Sequence, residues 1–321
     1  MDKAIREFLE YIELERGHSQ LTIRNYDSYL NKFAEFAEGM GVKLVDKIDL
    51  ELIKKWRLEL HRRGLGVKTL NYYMIALRSF LKYLSKIDVK TLVPEKIELA
   101  DTPERQINFL EKEELERLLE AYKGKDALEV RNRTILEVLF STGMRVSELV
   151  SLNRGEINLD RGELSISGKG GKRRVVFLSE SAIGWLDRYL KMRFDDNEAL
   201  FTKAQPTGDS SQQAAADEKE EKSRPRASER EKTDRLTARQ VQRIVRDAAK
   251  HAGIVKQVTP HVLRHSFATD ILRSGADLRS VQSLLGHQSV TTTQVYTHIT
   301  DKHLREIHKK YHNKKEDGQN T

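Results

Sequence analysis

The sequence contains no cysteine, so disulfides, thiolate zinc sites and cysteine nucleophiles are all excluded. No apolar run approaches the length of a bilayer span, and the N-terminus lacks the apolar segment of a signal peptide. A glycine-rich phosphate loop ending in Gly-Lys-Ser or Gly-Lys-Thr is also missing, which leaves nucleotide hydrolysis without support. These absences favour a cytoplasmic protein without a membrane span.

Positive charge is the compositional feature that is present. The 321 residues include 57 lysines and arginines and 49 aspartates and glutamates, which gives a formal net charge of +8. This balance favours an anionic partner, most plausibly nucleic acid, although many basic proteins bind none. The length exceeds one average domain and suggests two, each with its own core.

Residues 1–86 carry four segments of helical hydrophobic spacing and no strand pattern. Ser19 and Thr22 are candidate caps of the second helix, and the third begins near Asp49 and stops at Gly64. The sequence therefore predicts an all-helical N-terminal domain.

A second, larger domain is predicted after a linker. Periodicity is lost over 87–106, where Pro94 and Pro103 restrict the backbone. Residues 107–315 return to helical spacing with one short region of strand pattern, and 316–321 form a tail. The predicted fold is mainly α-helical with a small antiparallel β-sheet.

Tight turns join the segments of strand pattern, which predicts a three-stranded antiparallel sheet. The segments are 157–159, 164–166 and 174–177. The turn at Gly168–Gly171 would hold Lys169 at a hairpin tip, where it could enter a nucleic-acid groove or protonate a leaving oxygen. Lys172 is a second candidate for DNA contact, although ordinary hairpin solubility explains it more simply.

The segment 203–235 contains no Val, Ile, Leu, Met or aromatic residue. Its eight basic and eight acidic residues cancel, so the net positive charge belongs to the rest of the chain. Such a segment cannot bury enough apolar area to offset the entropy of ordering, which predicts a disordered insertion.

Two arginines are candidate phosphate ligands. Arg145 begins a predicted helix, where its guanidinium and free N–H groups would both favour a phosphate. Taken alone, a surface arginine paired with Glu148 is the simpler explanation. Arg264 follows His261 by three residues, so both would lie on one face of a helix that starts after Pro260.

Two further residues complete a possible phosphate site. His287 follows Gly286 at a predicted helix C-terminus, and Tyr296 lies nine residues later among threonines. Each of these residues alone, like His261, is more often structural. Four phosphate-type ligands and a phenol in one domain instead favour a site that holds one phosphate and attacks it with the phenol oxygen.

A metal site is the alternative to a phosphate site. His261 and His265 are four residues apart, as are His308 and His312, which is metal-ligand spacing on a helix. Neither pair has the carboxylate of a metallohydrolase helix, and arginines would flank His265. We therefore expect no metal and no other cofactor.

These residues resemble the tyrosine recombinases, and among them the Xer-like branch. The segment 141–149 is similar to the family's first arginine box and 259–269 to its His-x-x-Arg box. The segments 284–287 and 292–298 match the family's last region, and 168–170 resembles its β-hairpin turn. The resemblance spans nearly the whole chain, and it implies a SAM-like four-helix core-binding domain followed by a DNA breaking-rejoining catalytic domain.

The resemblance implies a role for each candidate catalytic residue. Tyr296 would attack a DNA phosphodiester and form a 3′-phosphotyrosyl link, leaving a free 5′-hydroxyl. Arg145 and Arg264 would hold the non-bridging oxygens and stabilise charge in the transition state.

The resemblance also implies how protons move and how the ligands are held. Lys169 would be the general acid for the leaving oxygen, and His261 would assist proton transfer at the tyrosine. His287 would donate a hydrogen bond to the phosphate, and Glu148 would orient Arg145.

Double-stranded DNA and a tetrameric assembly are the partners that the resemblance implies. The segment 300–312 is similar to the one that docks on a neighbouring subunit. Polar positions in the N-terminal domain are candidates for contact with the DNA backbone, with a solvated face as the alternative. These positions are Arg24, Asn25, Lys68, Thr69 and Arg78.

The implied activity is site-specific recombination through a Holliday junction, most simply the resolution of chromosome or plasmid dimers. An integrase of a mobile element would use the same chemistry. A DNA-binding homologue without catalysis is a further alternative, against which the intact residue set argues. A type IB topoisomerase would also share the chemistry but would relax DNA as a monomer.

Overall fold

A computed structural model describes residues 1–102, 108–167, 173–203 and 234–286. The chain divides into two compact units, Met1–Arg105 and Gln106–Thr321. Within the described residues, none of the helices is both long and apolar enough to cross a bilayer.

Four α-helices build the first unit, as the hydrophobic spacing predicts. They are α1 (Asp2–Leu14), α2 (Gln20–Gly39), α3 (Leu50–Arg62) and α4 (Val67–Lys86). Ser19 caps α2 by accepting the N–H of Thr22, so of the two candidate caps Ser19 is the cap and Thr22 its donor. Asp49 caps α3 by accepting the N–H of Leu52.

The four helices enclose a core of apolar side chains that includes Trp56 and Phe80, which are 1% and 0% exposed. The rings of Phe8 and Phe80 meet edge to face with centroids 5.6 Å apart. Phe33 contacts Trp56 in the same way at 6.2 Å. Such pairs add roughly 0.5–1.5 kcal/mol each to the free energy gained from apolar burial.

Helices surround one small sheet in the second unit, which confirms the predicted fold class. The described helices are α5 (Lys112–Leu119), α6 (Ala127–Thr142), α7 (Val146–Ser151), α8 (Glu180–Lys191), α9 (Ala238–His251), α10 (Pro260–Arg273) and α11 (Leu278–Leu285). The strands are β1 (Ile157–Asn158), β2 (Glu163–Ser167) and β3 (Arg173–Phe177).

The three strands are antiparallel in the order β1-β2-β3. Leu164 and Ile166 of β2 are buried, and they pair with Val176 and Arg174 of β3. Because side chains alternate across a strand, Arg174 lies on the same face of β3 as the buried Val176. The predicted hairpin turn lies outside the described residues.

Two helices of the second unit, α6 and α11, end in left-handed glycines. Gly143 ends α6 with φ +58°, and Gly286 ends α11 with φ +65°. A Cβ on Gly143 would lie 2.3 Å from Cδ1 of Phe267, so a larger residue would push α10 away from α6. This close approach brings the ends of α6 and α11 to the same region as α10.

The edges of the predicted insertion belong to the fold. The N–H of Lys203 donates to the carbonyl of Asp234 at 2.7 Å, and Thr202 forms a β-bridge with Arg235. Arg235 also donates to the carbonyl of Leu152 at 2.8 Å. The predicted limits 203–235 are therefore too wide, because hydrogen bonds and not apolar burial hold these end residues. Residues 204–233 lie outside the described part of the chain.

Candidate active site

Arg145 is the N-cap residue of α7, two positions after the turn at Gly143. Its N–H donates to Oε2 of Glu148 at 2.8 Å, and its Nη1 donates to Oε1 at 2.9 Å. The Arg145 side chain is 38% exposed, whereas that of Glu148 is 7% exposed. The predicted ion pair with Glu148 is therefore present, but its carboxylate is buried. The N–H of Arg145 donates to that carboxylate and is not free for a phosphate.

Glu148 is held ionised in spite of its burial. Burial alone would raise the pKa of this carboxyl, but hydrogen bonds from Arg174 and from the Arg145 N–H, with the nearby positive charges, keep the pKa below its usual value. A carboxylate in this position can fix the direction of the guanidinium groups around it.

Arg174 is a member of the site that sequence reasoning missed. Its Nη2 donates to Oε2 of Glu148 at 2.7 Å, and its Nη1 donates to Oε1 at 3.0 Å. The strand alternation on β3 was the signal that could have found it, since it puts a charged residue on the face of the buried Val176.

Arg264 is buried, with 5% of its surface exposed. Its Nη1 donates to the carbonyl of Gly143 at 2.7 Å, and its Nη2 donates to the carbonyl of Leu285 at 2.8 Å. These carbonyls end α6 and α11, so the cation lies where two helix dipoles are negative. The sequence predicts Arg264 and His261 on one face of α10, and the two carbonyls hold the Arg264 side chain in the interior.

Three arginines converge on the end of α11. Arg264 holds the carbonyl of Leu285, and Nη2 of Arg145 lies 3.5 Å from the carbonyl of Gly286. Arg174 packs against Gly286 so closely that a Cβ there would lie 3.0 Å from its Nη1. The structure therefore brings both predicted phosphate ligands, together with Glu148, to the residue that directly precedes His287.

The other predicted catalytic residues stand differently. His261 lies in the first turn of α10 and is exposed. Arg264, one turn later, is buried, so the two residues differ in exposure although they are three positions apart. The remaining four candidates of the second unit lie outside the described residues. They are Lys169, Lys172, His287 and Tyr296.

The candidate DNA contacts of the first unit lie on two helices that pack together, α2 and α4. They are Arg24 and Asn25 on α2, and Lys68, Thr69 and Arg78 on α4. Arg24, Asn25 and Lys68 are exposed, while Thr69 and Arg78 are half-buried. Arg78 lines a shallow cleft with Ser79 and Lys82. No hydrogen bond or ion pair joins the five within residues 1–102.

Comparison with known sequences decides the family. The profile of the phage integrase family matches residues 108–303, and the profile of the phage integrase N-terminal SAM-like domain matches residues 5–86. The chain belongs to the phage integrase family. The first of these regions contains the arginine cluster, and the second covers nearly all of the four-helix unit.

Relatives of this phage integrase family member are named tyrosine recombinases. The tyrosine recombinase XerD of Oceanobacillus iheyensis is 33% identical over 97% of this chain and 99% of its own length. The tyrosine recombinase XerC of Lacticaseibacillus casei is 35% identical over 97% of this chain and 99% of its own length. The resemblance to tyrosine recombinases of the Xer-like branch is confirmed.

Solved structures agree with this assignment. The crystal structure of XerA recombinase is 30% identical, covers 98% of this chain and 99% of its own, and superposes with a TM-score of 0.51. The XerH site-specific recombinase bound to palindromic difH substrate after cleavage is 26% identical, with a TM-score of 0.68. That match covers 95% of this chain and 84% of the XerH chain.

The described part of the site can bind an anion. Arg145 and Arg174 carry two positive charges against the single negative charge of Glu148, which leaves one positive charge on this group, and Arg264 adds another beside it. Guanidinium groups bind phosphate oxygens through paired N–H donors. The described part of this site therefore combines a net positive charge with guanidinium groups in fixed positions.

Proposed function

We propose that this chain is a site-specific DNA recombinase that uses Tyr296 as nucleophile and holds the attacked phosphate with Arg145 and Arg264. One observation carries the proposal: both arginines reach adjacent carbonyls, those of Gly286 and Leu285, at the end of α11. In the sequence, His287 follows this end directly and Tyr296 follows nine residues after that histidine.

The proposed reaction transfers one DNA phosphate twice, first to the tyrosine and then to the 5′-hydroxyl of another strand. The phenol oxygen of Tyr296 bonds to phosphorus while the bond to the 5′-oxygen breaks, giving a 3′-phosphotyrosine and a free 5′-hydroxyl. The 5′-hydroxyl of another strand then attacks the phosphotyrosine, which releases the tyrosine and joins the strands. Because the phosphotyrosine ester keeps the energy of the cleaved bond, these two steps require neither ATP nor a metal ion.

Each proposed ligand has a separate part in this step. Arg145 and Arg264 neutralise the negative charge that grows on the non-bridging oxygens. Lys169 donates a proton to the leaving 5′-oxygen, and His261 takes up the proton of the tyrosine. His287 donates a hydrogen bond to the same phosphate.

Duplex DNA is the proposed substrate, bound by a tetramer that holds two duplexes. The segment 300–312 would dock on the neighbouring subunit. Mass photometry with DNA tests this assembly: the full chain should form particles with four subunits, and a chain truncated after residue 299 should not. Tetramers that form equally well with the truncated chain would contradict the docking role.

The five polar positions on α2 and α4 are proposed to contact the DNA backbone. Replacing Arg24 with alanine should weaken binding similarly for all sequences and lower the slope of log affinity against log salt by about 1. Arg57→Ala is a matched control on α3, where the arginine donates to the carbonyl of Glu98 instead. An unchanged slope for Arg24→Ala would remove that residue from the proposed interface.

A nicked suicide duplex tests the chemistry. The protein first selects its site from a random-sequence pool of duplexes. The selected duplex then receives a nick beside the cleaved phosphate, so that the short 5′-hydroxyl fragment leaves and rejoining stops. The wild-type protein should form an adduct that survives denaturation by detergent.

Matched variants assign the adduct to one tyrosine. Tyr296→Phe should form no adduct, while Tyr189→Phe, at a residue of α8 with no proposed role, should form as much as the wild type. DNA binding without any adduct would overturn the enzyme proposal in favour of a catalytically inactive binding protein. Relaxation of a plasmid that lacks the selected site would favour a type IB topoisomerase instead.

We further propose that the recombinase resolves chromosome or plasmid dimers. A plasmid with two directly repeated copies of the selected site should yield two separate circles. Joining of the selected site to a second, different sequence, without resolution between identical sites, would identify an integrase of a mobile element.

A further inference from the structure

We propose that Arg174 is a positioning residue for DNA cleavage: it holds Glu148 so that Arg145 stays aimed and remains cationic toward the phosphate. This inference rests on the proposed function, because it names a further residue that the cleavage step needs. Arg174 itself would not touch the DNA.

The contacts of Glu148 fix the orientation of its carboxylate. Each of its two carboxylate oxygens accepts one hydrogen bond from Arg145 and one from Arg174, with distances between 2.7 and 3.0 Å. A carboxylate has about four acceptor positions, so these four donors fill it. Arg145 therefore cannot rotate its carboxylate partner without breaking the paired bonds from Arg174.

The surroundings of Arg174 show why it is not itself a phosphate ligand. Both of its Nη atoms donate to the charged carboxylate of Glu148, so its positive charge is directed at that carboxylate, whereas the Nη atoms of Arg264 donate to neutral backbone carbonyls. Gly286 packs against its guanidinium group, where a Cβ would lie 3.0–3.1 Å from Nη1, Cζ and Nε. The Nε of Arg174 is buried without a hydrogen-bond partner among the described residues.

Arg174 also sets the net charge of the group that it forms with Glu148 and Arg145. Glu148 carries one negative charge, which Arg145 and Arg174 share. Without Arg174, Glu148 would neutralise Arg145 alone, and the pair would present no net charge to a phosphate. With Arg174 present, the group keeps one positive charge, so Arg145 can stabilise an anion while it is still held by its carboxylate.

Arg174 also connects separate segments of the second unit. Arg174 is the second residue of β3 and pairs with Ile166 of β2, so it lies at the base of the hairpin that leads to Lys169. Through Glu148 it reaches α7, and through Gly286 it reaches the end of α11. One side chain thus connects the three segments that bear the proposed ligands Lys169, Arg145 and His287.

Single-turnover cleavage of the nicked suicide duplex at saturating protein tests this role. Arg174→Gln should slow adduct formation by about 10- to 100-fold, the loss expected for hydrogen bonds to a charged group. The dissociation constant for DNA should change by less than about threefold, because the residue does not contact DNA. Arg173→Gln is the matched control on the exposed face of β3 and should cleave at the wild-type rate.

Arg174→Lys separates the paired hydrogen bonds from the charge alone. Lysine keeps the positive charge but cannot make two parallel bonds to a carboxylate. This variant should cleave at a rate between those of the wild type and Arg174→Gln. It also serves if the glutamine variant fails to fold, and a folded lysine variant with the wild-type rate would overturn the proposal.

A double-mutant cycle shows whether Arg174 acts through Glu148. In a Glu148→Gln background, adding Arg174→Gln should cause little further loss of rate. Two effects that multiply would contradict the proposal, since they would give Arg174 a role independent of Glu148. No wild-type adduct at all would overturn the proposed function and this inference together, whereas an adduct that forms equally fast with Arg174→Gln would overturn this inference alone.

Discussion

In the N-terminal unit the side chains buried within the described residues are hydrophobic, whereas the second unit also buries nine polar or charged ones. The nine are Arg131, Asn132, Thr134, Glu137, Thr142, Glu148, Arg264, Ser266 and Thr269. Apolar burial has no preferred direction, but a buried polar group is costly unless it has partners in fixed positions, and of the nine only the Thr269 hydroxyl has no hydrogen-bond partner among the described residues. The first unit therefore needs only a well-filled core, while the second fixes the direction of particular side chains.

The two units can be followed separately because each has one of the two tryptophans. Trp56 is buried in the first unit, and Trp185 packs beside Arg133 and Arg188 in the second. Replacing one tryptophan with phenylalanine leaves the fluorescence of the other as a probe of its own unit.

Phe80→Ala should have the largest effect on stability. Phe80 is fully buried, so the cavity should lower the free energy of unfolding of the first unit by about 3–5 kcal/mol. Urea denaturation followed by Trp56 measures this loss, and Leu58→Ala, at an exposed position, is the control. If the transition reported by Trp185 shifted as much, the two units would not have separate cores.

Arg264→Ala should lower the free energy of unfolding of the second unit by about 2–4 kcal/mol, because the carbonyls of Gly143 and Leu285 lose their donors.

Arg145→Ala should lower the same free energy of unfolding by about 1 kcal/mol or less, since that side chain is more exposed. Both variants should fail to cleave DNA. Equal stability losses by Trp185 fluorescence would contradict the distinction between a buried and an exposed arginine.

Acid should weaken the second unit through Glu148. Its pKa is lower in the folded protein than in the unfolded chain, so its contribution is complete above the unfolded pKa, about 4.3, and is lost as pH falls through the lower folded pKa. Unfolding free energies measured by Trp185 between pH 6 and pH 3 should fall more steeply for the wild type than for Glu148→Gln. Parallel curves would show that this carboxylate is not stabilised by folding.

Replacing residues 204–233 with a short Gly-Ser linker should have the smallest effect. Lys203 and Asp234 are already joined by a 2.7 Å hydrogen bond, so a short linker can close the chain without moving either end. A shorter loop should raise the stability of the second unit by about 1 kcal/mol at most. Cleavage should be unchanged, and a large loss of cleavage would reveal a function for the segment.

The sequence predicts the first unit well because helical hydrophobic spacing alone determines which faces are buried. Ile5, Phe8 and Ile12 recur at that spacing and are all in the core. The sequence also predicts Arg145 and Arg264 at one site, because the segments 141–149 and 259–269 resemble two motifs of the family. It does not predict that Arg264 is buried, because its partners are carbonyls of Gly143 and Leu285, which carry no signal in side-chain pattern.

Arg174 and the ends of the insertion show the same limit. Arg174 is separated from Glu148 by 26 positions in the chain, and only the register of β3 against β2 turns it toward that carboxylate. Arg235 stands in a segment without apolar residues, yet its hydrogen bonds to the backbone near α7 hold it in place. Contacts of this kind depend on tertiary placement, which periodicity does not record.

If Arg145 and Arg264 neutralise one DNA phosphate, removal of that phosphate's charge tests them most directly. A selected nicked duplex with a methylphosphonate at the cleaved position has no negative non-bridging oxygen there. If Arg145 acts by neutralising charge, Arg145→Ala should form the Tyr296 adduct with this duplex at least about tenfold faster than with the natural phosphate. An Arg145→Ala protein that remains equally inactive on both duplexes would contradict the claim.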